Sequence, residues 1–399
     1  MKKLSLVTIL AINVAFAGGE IAPVEPVTEA SATTALETTP TVGTACNSRT
    51  TIHSKAQLYY YSHDDAGKSD LFESKDSSAA GAVTFDVSHK LFDSLTANFS
   101  AVGYVNFGDI ADNDFEGQPN GAFINVANLT ATFANTSLIV GRQLIDTPLV
   151  GGYDWLLAPG AFEAAVIANK SIDNLTLVAA YLTKWRPNNT GNKWVNLVDI
   201  DKGDNYTVGA VYGTDTLSMS AWYYNVDAGA AAGNPDKFKA TYADAGYNFG
   251  PVNVAGQIVS TDYDKAKDSL GYGLKVGTTL AGINMSAAVT QVSDNMAGYV
   301  GKESMYTTSW NYFASKAAVE NDDTLSWKVA ASTELSGFNA EVSYAAYGDE
   351  GSELDTILGY NLTPCVNLAA IYSITDYDVN EDKQKDADNA LEFIATYKF

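Results

Sequence analysis

Ala390-Leu391-Glu392-Phe393-Ile394-Ala395-Thr396-Tyr397-Lys398-Phe399 ends the chain, and its alternation decides the fold. Successive side chains of an extended chain leave opposite faces, so Leu391, Phe393, Ala395, Tyr397 and Phe399 share one face while Glu392, Thr396 and Lys398 share the other. The same period recurs upstream. Val83, Phe85 and Val87 oppose Thr84, Asp86, Ser88 and Lys90, and Leu95, Ala97, Phe99 and Ala101 oppose Thr96, Asn98 and Ser100. Leu325, Trp327, Val329, Ala331 and Leu335 oppose Ser326, Lys328, Ser332 and Glu334, and Phe338, Ala340, Val342 and Tyr344 oppose Asn339, Glu341 and Ser343. One face is apolar, the other wet, and each segment has roughly the ten residues that a tilted strand needs to cross a bilayer.

Eighteen such segments lie near 51–62, 82–92, 94–107, 122–134, 137–144, 161–171, 174–185, 204–213, 215–226, 237–249, 251–262, 269–280, 282–293, 324–335, 337–348, 353–363, 365–376 and 389–399. Their connections alternate between tight turns and long polar loops. Asp93-Ser94, Asn135-Thr136, Asp173-Asn174, Thr214-Asp215, Gly250-Pro251, Ala281-Gly282, Ser336-Gly337 and Thr363-Pro364 are turn pairs. A soluble β-sandwich or an adhesin shares the strand pattern but has no reason to segregate loop lengths in this way. The expectation is an all-β fold: a transmembrane antiparallel β-barrel of about 18 strands, with short periplasmic turns and long extracellular loops.

The N-terminus has the form of a secretory signal over 1–17, with Lys2 and Lys3, an apolar run from Leu4 to Phe16 and a small-residue site at Ala15-Phe16-Ala17. Residues 18–48 are rich in Pro, Thr, Ala and Glu, too polar to bury a core, and are expected to be a disordered periplasmic leader to a barrel domain over 49–399. Without Lys2 and Lys3, 22 basic residues face 47 acidic ones, a charge of about −25 that argues against nucleic acid as a partner.

The terminal aromatics Tyr397 and Phe399 resemble the C-terminal assembly signal of outer-membrane proteins, which implies recognition by the barrel assembly machinery and an environment of outer-membrane lipid. The segment between the fifth and sixth strands, Leu144 to Gly160, is far more apolar than its neighbours. A loop of that composition is expected to fold into the lumen and constrict the channel of an otherwise open 18-stranded barrel. Here Gly141-Arg142-Gln143, Pro148, the cluster Tyr153-Asp154-Trp155, Ala158-Pro159-Gly160 and Phe162-Glu163 resemble OprD-type porins and the related major outer-membrane protein porins. The resemblance implies an 18-stranded channel narrowed by inward loops.

Arg142, Asp146, Tyr153, Asp154, Trp155 and Glu163 are therefore the candidate constriction residues. Leu138 and Val140 would put Arg142 on the lipid face, where an Arg at mid-bilayer costs roughly 2–4 kcal/mol. A bulge that turns Arg142 inward is expected, with an Arg at a subunit interface as the alternative. The candidate lumen wall is mixed: Asp86, Glu334, Glu341, Asp355 and Glu392 against Lys90, Lys275, Lys328 and Lys398. With only three Arg in the chain (Arg49, Arg142 and Arg186), the basic ladder of carboxylate-specific OprD-type channels is missing. This favours passive, mildly cation-preferring diffusion of ions and small hydrophilic solutes over a substrate-specific channel for amino acids or small peptides, or a barrel that displays acidic loops as an adhesin.

The loop acids Asp109, Asp112, Asp114 and Glu116, and Asp376, Asp378, Glu381, Asp382, Asp386 and Asp388, are compatible with Ca²⁺ but do not match EF-hand spacing, which favours a solvated surface without a cofactor. Cys46 and Cys365, both placed at the periplasmic rim, are candidates for a disulfide, with two free thiols as the alternative. His53, His63 and His89 accompany no nucleophile motif or metal spacing, so no enzyme is expected. A homotrimer would suit a general porin, but every apolar face looks alike and none stands out as an interface.

Overall fold

Alternation over ten residues becomes a closed sheet in the computed structural model, which describes residues 49–64, 70–108, 110–111, 120–152, 157–186, 197–200, 203–227, 234–311, 316–319, 325–377 and 387–399. The expected signal and leader, 1–48 with Cys46, lie outside the described residues. Eighteen antiparallel strands form the wall: β1 Thr50–His63, β2 Ser77–Phe92, β3 Leu95–Asn106, β4 Gly121–Phe133, β5 Thr136–Gln143, β6 Ala161–Ile172, β7 Leu175–Arg186, β8 Asn205–Gly213 and β9 Leu217–Val226. They continue as β10 Phe238–Asn248, β11 Val252–Tyr263, β12 Ser269–Leu280, β13 Ile283–Ser293, β14 Ser326–Leu335, β15 Phe338–Tyr347, β16 Gly351–Thr363, β17 Val366–Tyr377 and β18 Asp388–Lys398. A two-residue strand, Val198–Asp199, pairs with Lys184 and Trp185 of β7 without entering the wall, since β7 pairs directly with β8.

The terminal strand closes the circle. β18 pairs with β17 on one side and with β1 on the other, in the register Leu58↔Ala395 and Tyr61↔Glu392. Ser54 N donates to Phe399 O at 2.8 Å, and Phe399 N donates back to Ser54 O at 2.9 Å. No wall strand is left with an unpaired edge, which is the condition for backbone in lipid. Among the described residues no helix is long and apolar enough to cross a membrane.

Eight tight turns join the strand pairs at one rim. Ala281-Gly282 has φ of 52° and 82°, and Ser336-Gly337 has φ of 53° and 84°. Left-handed geometry at both central residues gives a turn whose twist matches the strands it joins, and it explains why glycine occupies the second place. The opposite rim carries the long connections, except for the short 264–268 and Gly348–Glu350. β2 begins at Ser77, five residues before the alternation does. Ser77 to Ala80 are buried on both faces, so small residues replace the apolar-polar period there.

Most outward positions are exposed and apolar, among them Leu58, Val83, Leu129, Ile167, Leu274 and Val342. Aromatic rings collect at the turn-side rim: Phe92, Phe133, Phe249, and the stacked pairs Phe338–Tyr360 (4.2 Å) and Tyr397–Phe399 (5.3 Å). Phe72, Tyr181, Tyr206 and Trp327 occupy the loop-side rim. Two girdles flanking an apolar band are the surface that a bilayer requires of a barrel.

Candidate channel constriction

β5, with eight residues, is the shortest wall strand, and the chain leaves it for the lumen. Thr147 sets the first bend, since its Oγ1 donates to Val150 O at 2.7 Å and accepts from Val150 N at 3.1 Å. Ile145, Leu149 and Val150 then pack with Tyr224, Phe238, Tyr242 and Val259 of β9–β11. Leu157 and Ala158, further along the same loop, pack with Tyr59, Val102, Tyr104 and Phe123 of β1–β4. The two wall segments face each other in an 18-stranded circle, so the loop spans the lumen. Arg186, fully buried at the end of β7, supports its return: Nη2 donates to Pro159 O at 2.6 Å and to Asn125 Oδ1, and the guanidinium sits 4.4 Å from the Phe123 ring centre.

A second loop, between β13 and β14, also enters the lumen, although its sequence does not stand out from the polar loops. Val150 and Val300 form a parallel bridge, with Val300 N donating to Leu149 O (2.8 Å) and Gly151 N to Val300 O (3.1 Å). Lys302 Nζ meets Asp146 Oδ1 at 3.1 Å beside this stitch. Met305 and Ala297 join the same apolar cluster as Leu149. The signal was present as Met296, Ala297, Tyr299, Val300, Met305 and Tyr306, diluted by polar neighbours.

Those polar neighbours hold the loop to the wall. Trp310 N donates to Asp355 Oδ2 (3.0 Å), Asn311 N to Glu353 Oε1 (2.6 Å) and Trp310 Nε1 to Glu392 Oε1 (2.9 Å). Lys328 Nζ donates to Thr308 O at 2.7 Å, Tyr347 OH to Thr307 O at 2.6 Å, and Gln257 Oε1 accepts from Tyr306 N at 2.8 Å. A buried charge needs hydrogen-bond partners, and the loop backbone supplies them. Glu303 is itself buried, accepting from Met305 N and from the Thr308 hydroxyl. Desolvation pushes its carboxyl up to about 7, against the lowering effect of those two bonds and of Lys302 and Lys328.

Asp86, Lys90, Lys275, Lys328, Glu334, Glu341, Asp355, Glu392 and Lys398 all occupy the inward parity of their strands. Lys275, Lys328, Asp355 and Glu392 are almost fully buried, while Asp86, Lys90, Glu334, Glu341 and Lys398 keep more contact with the lumen. Asp146 lies at the loop stitch. Tyr153, Asp154 and Trp155 lie outside the described residues, as do most of the acidic loop positions. Cys365 is exposed at the β16–β17 turn. Among the described residues no group of three or more His, Cys, Asp or Glu is arranged to hold a metal ion.

Arg142 and Glu163 correct the expectation. Arg142 pairs with Ala127 and Glu163 without a register shift between β5 and β6, so it keeps the outward parity of Leu138 and Val140. Glu163 lies between the buried, inward Phe162 and Ala164, and therefore also faces out. The β3–β4 ladder does carry a bulge, but it falls at Asn125, which it turns toward Arg186.

No protein-family model matches the sequence, and no curated protein matches it closely enough to count as a relative. Solved structures do match the fold. The crystal structure of Pseudomonas aeruginosa OpdK with vanillate superposes with a TM-score of 0.70 at 15% identity, covering 88% of this chain and 98% of OpdK. Pseudomonas aeruginosa OccD3 (OpdP) gives 0.68 at 16% identity, over 88% and 91% of the two chains. Acinetobacter baumannii OccAB1 gives 0.69 at 14%, over 88% and 97%. The fold is that of an OprD-type outer-membrane porin barrel, and at these identities the likeness speaks for the fold and not for the solute.

Proposed function

We propose that this chain is a multi-pass outer-membrane channel through which ions and small hydrophilic solutes diffuse passively, with a mild preference for cations. The observation that carries this reading is the pair of loops that meet at Val150 and Val300 inside a closed barrel. A wall of 18 strands is wide enough for an aqueous channel, and loops tied into its lumen act as a sieve rather than as surface display. The turn-side rim is read as periplasmic and the long loops as extracellular, with Tyr397 and Phe399 as the assembly signal. The acidic balance of the chain supports the sign of the preference. Single-channel recording in planar bilayers tests the reading: steady ohmic openings are expected, and a barrel that never conducts would overturn it. A substrate-specific channel is the second reading, favoured by the narrowing from two loops and by the presence of vanillate in the OpdK structure. Conductance that saturates with, or is blocked by, one solute would select it.

A further inference from the structure

An outward-facing charged cluster sits where the barrel should show only apolar side chains. Glu163 is the third residue of β6 and Lys184 the third from the end of β7, so both lie at the loop-side rim; Arg142, at the end of the short β5, lies below it, since β4 continues six residues past the Ala127 that pairs with Arg142. They form one row across the ladder, Arg142↔Glu163↔Lys184. Lys184 Nζ stands 4.0 Å from Glu163 Oε1, and Thr183 Oγ1 donates to Glu163 O (3.0 Å) and approaches its Oε1 (3.4 Å). A bulge at Thr183 turns Lys184 to the same side as Glu163. Directly toward the turn side lie Val140 and Ile167, each close to half exposed, with Leu138, Leu177 and Tyr181 beside them.

The cluster carries one net positive charge in a strongly acidic chain, and its donors outnumber its acceptors. A guanidinium has five N–H donors. Among the described residues Arg142 uses one, Nη1 to Ile124 O at 2.6 Å, besides its attraction to Glu163. Unused donors on a face turned to lipid call for an acceptor from the lipid, and a phosphate meets an Arg with paired, charge-assisted hydrogen bonds. We propose that the outward rim of β5–β7 binds the phosphate of an outer-leaflet lipid headgroup through Arg142 and Lys184. The acyl chains of that lipid lie along Leu138, Val140, Ile167 and Leu177. A lipid is the occupant because every outward position of a barrel in a membrane meets lipid. Lys184 brings the row to the rim, and the Arg142 side chain reaches toward it, its Nη1 donating to Ile124 O three residues loop-ward of Ala127. The inference rests on the proposed membrane orientation and not on what the lumen conducts.

Native mass spectrometry of the detergent-purified barrel, titrated with lipid A and with lipid A stripped of its phosphates, tests it. The unaltered protein should bind the phosphorylated form about tenfold more tightly or better. Arg142→Gln with Lys184→Gln should bring the two forms to parity while single-channel conductance stays unchanged. Equal binding of the two lipids by the unaltered protein would overturn the proposal without recourse to any variant. So would disulfide cross-linking of neighbouring barrels through Thr183→Cys in native membranes, which would place a second copy on this face. Release of lipid A by inorganic phosphate alone at equal concentration would show that the headgroup and not the lipid as a whole is recognised, and would overturn the acyl-chain assignment.

Discussion

Gly141 interrupts β5 with a φ of +121°, and a Cβ there would stand 2.4 Å from Ala127 O across the ladder. Only glycine fits without breaking the β4–β5 pairing, so Gly141→Ala should destabilise the barrel by roughly 2–3 kcal/mol. Urea unfolding in lipid vesicles, followed by Trp fluorescence, would show the midpoint fall; an unchanged midpoint would mean that the strand tolerates the left-handed region by other means. Glu303 is the second residue whose surroundings set its behaviour. Burial raises its carboxyl to about 7, so the seated loop holds a proton more tightly than the released loop does. The stabilisation of the seat is therefore complete below the ordinary carboxylate range and is lost as pH rises through about 7. Conductance should increase between pH 5 and 8, and Glu303→Gln should flatten the profile near its acid level. A rise toward acid would contradict the sign.

The two inward loops are joined by backbone and packing more than by charge. Lys302–Asp146 is partly exposed, and such pairs contribute about 0.2–1 kcal/mol. Asp146→Ala should leave single-channel conductance within experimental scatter of the parent. Gly301 has φ of +78°, and an added Cβ would fall 2.2 Å from Gly151 O in the facing loop. Gly301→Val should thus drive the loops apart, at a cost on the order of 1–3 kcal/mol, and give larger or noisier openings. If Asp146→Ala has the larger effect, the stitch is electrostatic. The strands were legible in the sequence because a sheet with one face in lipid and one in water must alternate. The start of β2 was not, since Ser77 to Ala80 are covered on both faces. The loop after β13 escapes notice because Glu303, Thr307 and Asn311 read as solvent-exposed, whereas the backbones of Thr307 and Asn311 bond to the wall and Glu303 is buried and bonded within the loop. The penalty of lipid argues for an inward Arg142, and the ladder overrides it. The parity of Leu138 and Val140 is the sounder guide, and Arg142 lowers that penalty by pairing with Glu163 and reaching loop-ward to donate to Ile124 O.

At the scale of the whole channel, ion preference depends on which charges still face water. Asp355, Glu353, Glu392 and Lys328 are buried and bonded to the loop after β13, so they steer permeating ions weakly. The more accessible inward charges, Asp86, Glu334 and Glu341 against Lys90 and Lys398, nearly balance. What remains is the excess of acid over the whole chain, −23 in formal charge, which raises the local cation concentration at the mouths. A field of that origin is screened by salt, over a Debye length of about 10 Å at 0.1 M and 3 Å at 1 M. Reversal potentials in KCl gradients should therefore show cation preference that is clearest at low salt and fades as both sides approach 1 M. Anion preference at any salt concentration would overturn the assignment of sign. Cation preference that persists at 1 M would move its source from the diffuse acidic surface to a few carboxylates at close quarters in the constriction, with Glu341 and Asp146 as the first to neutralise.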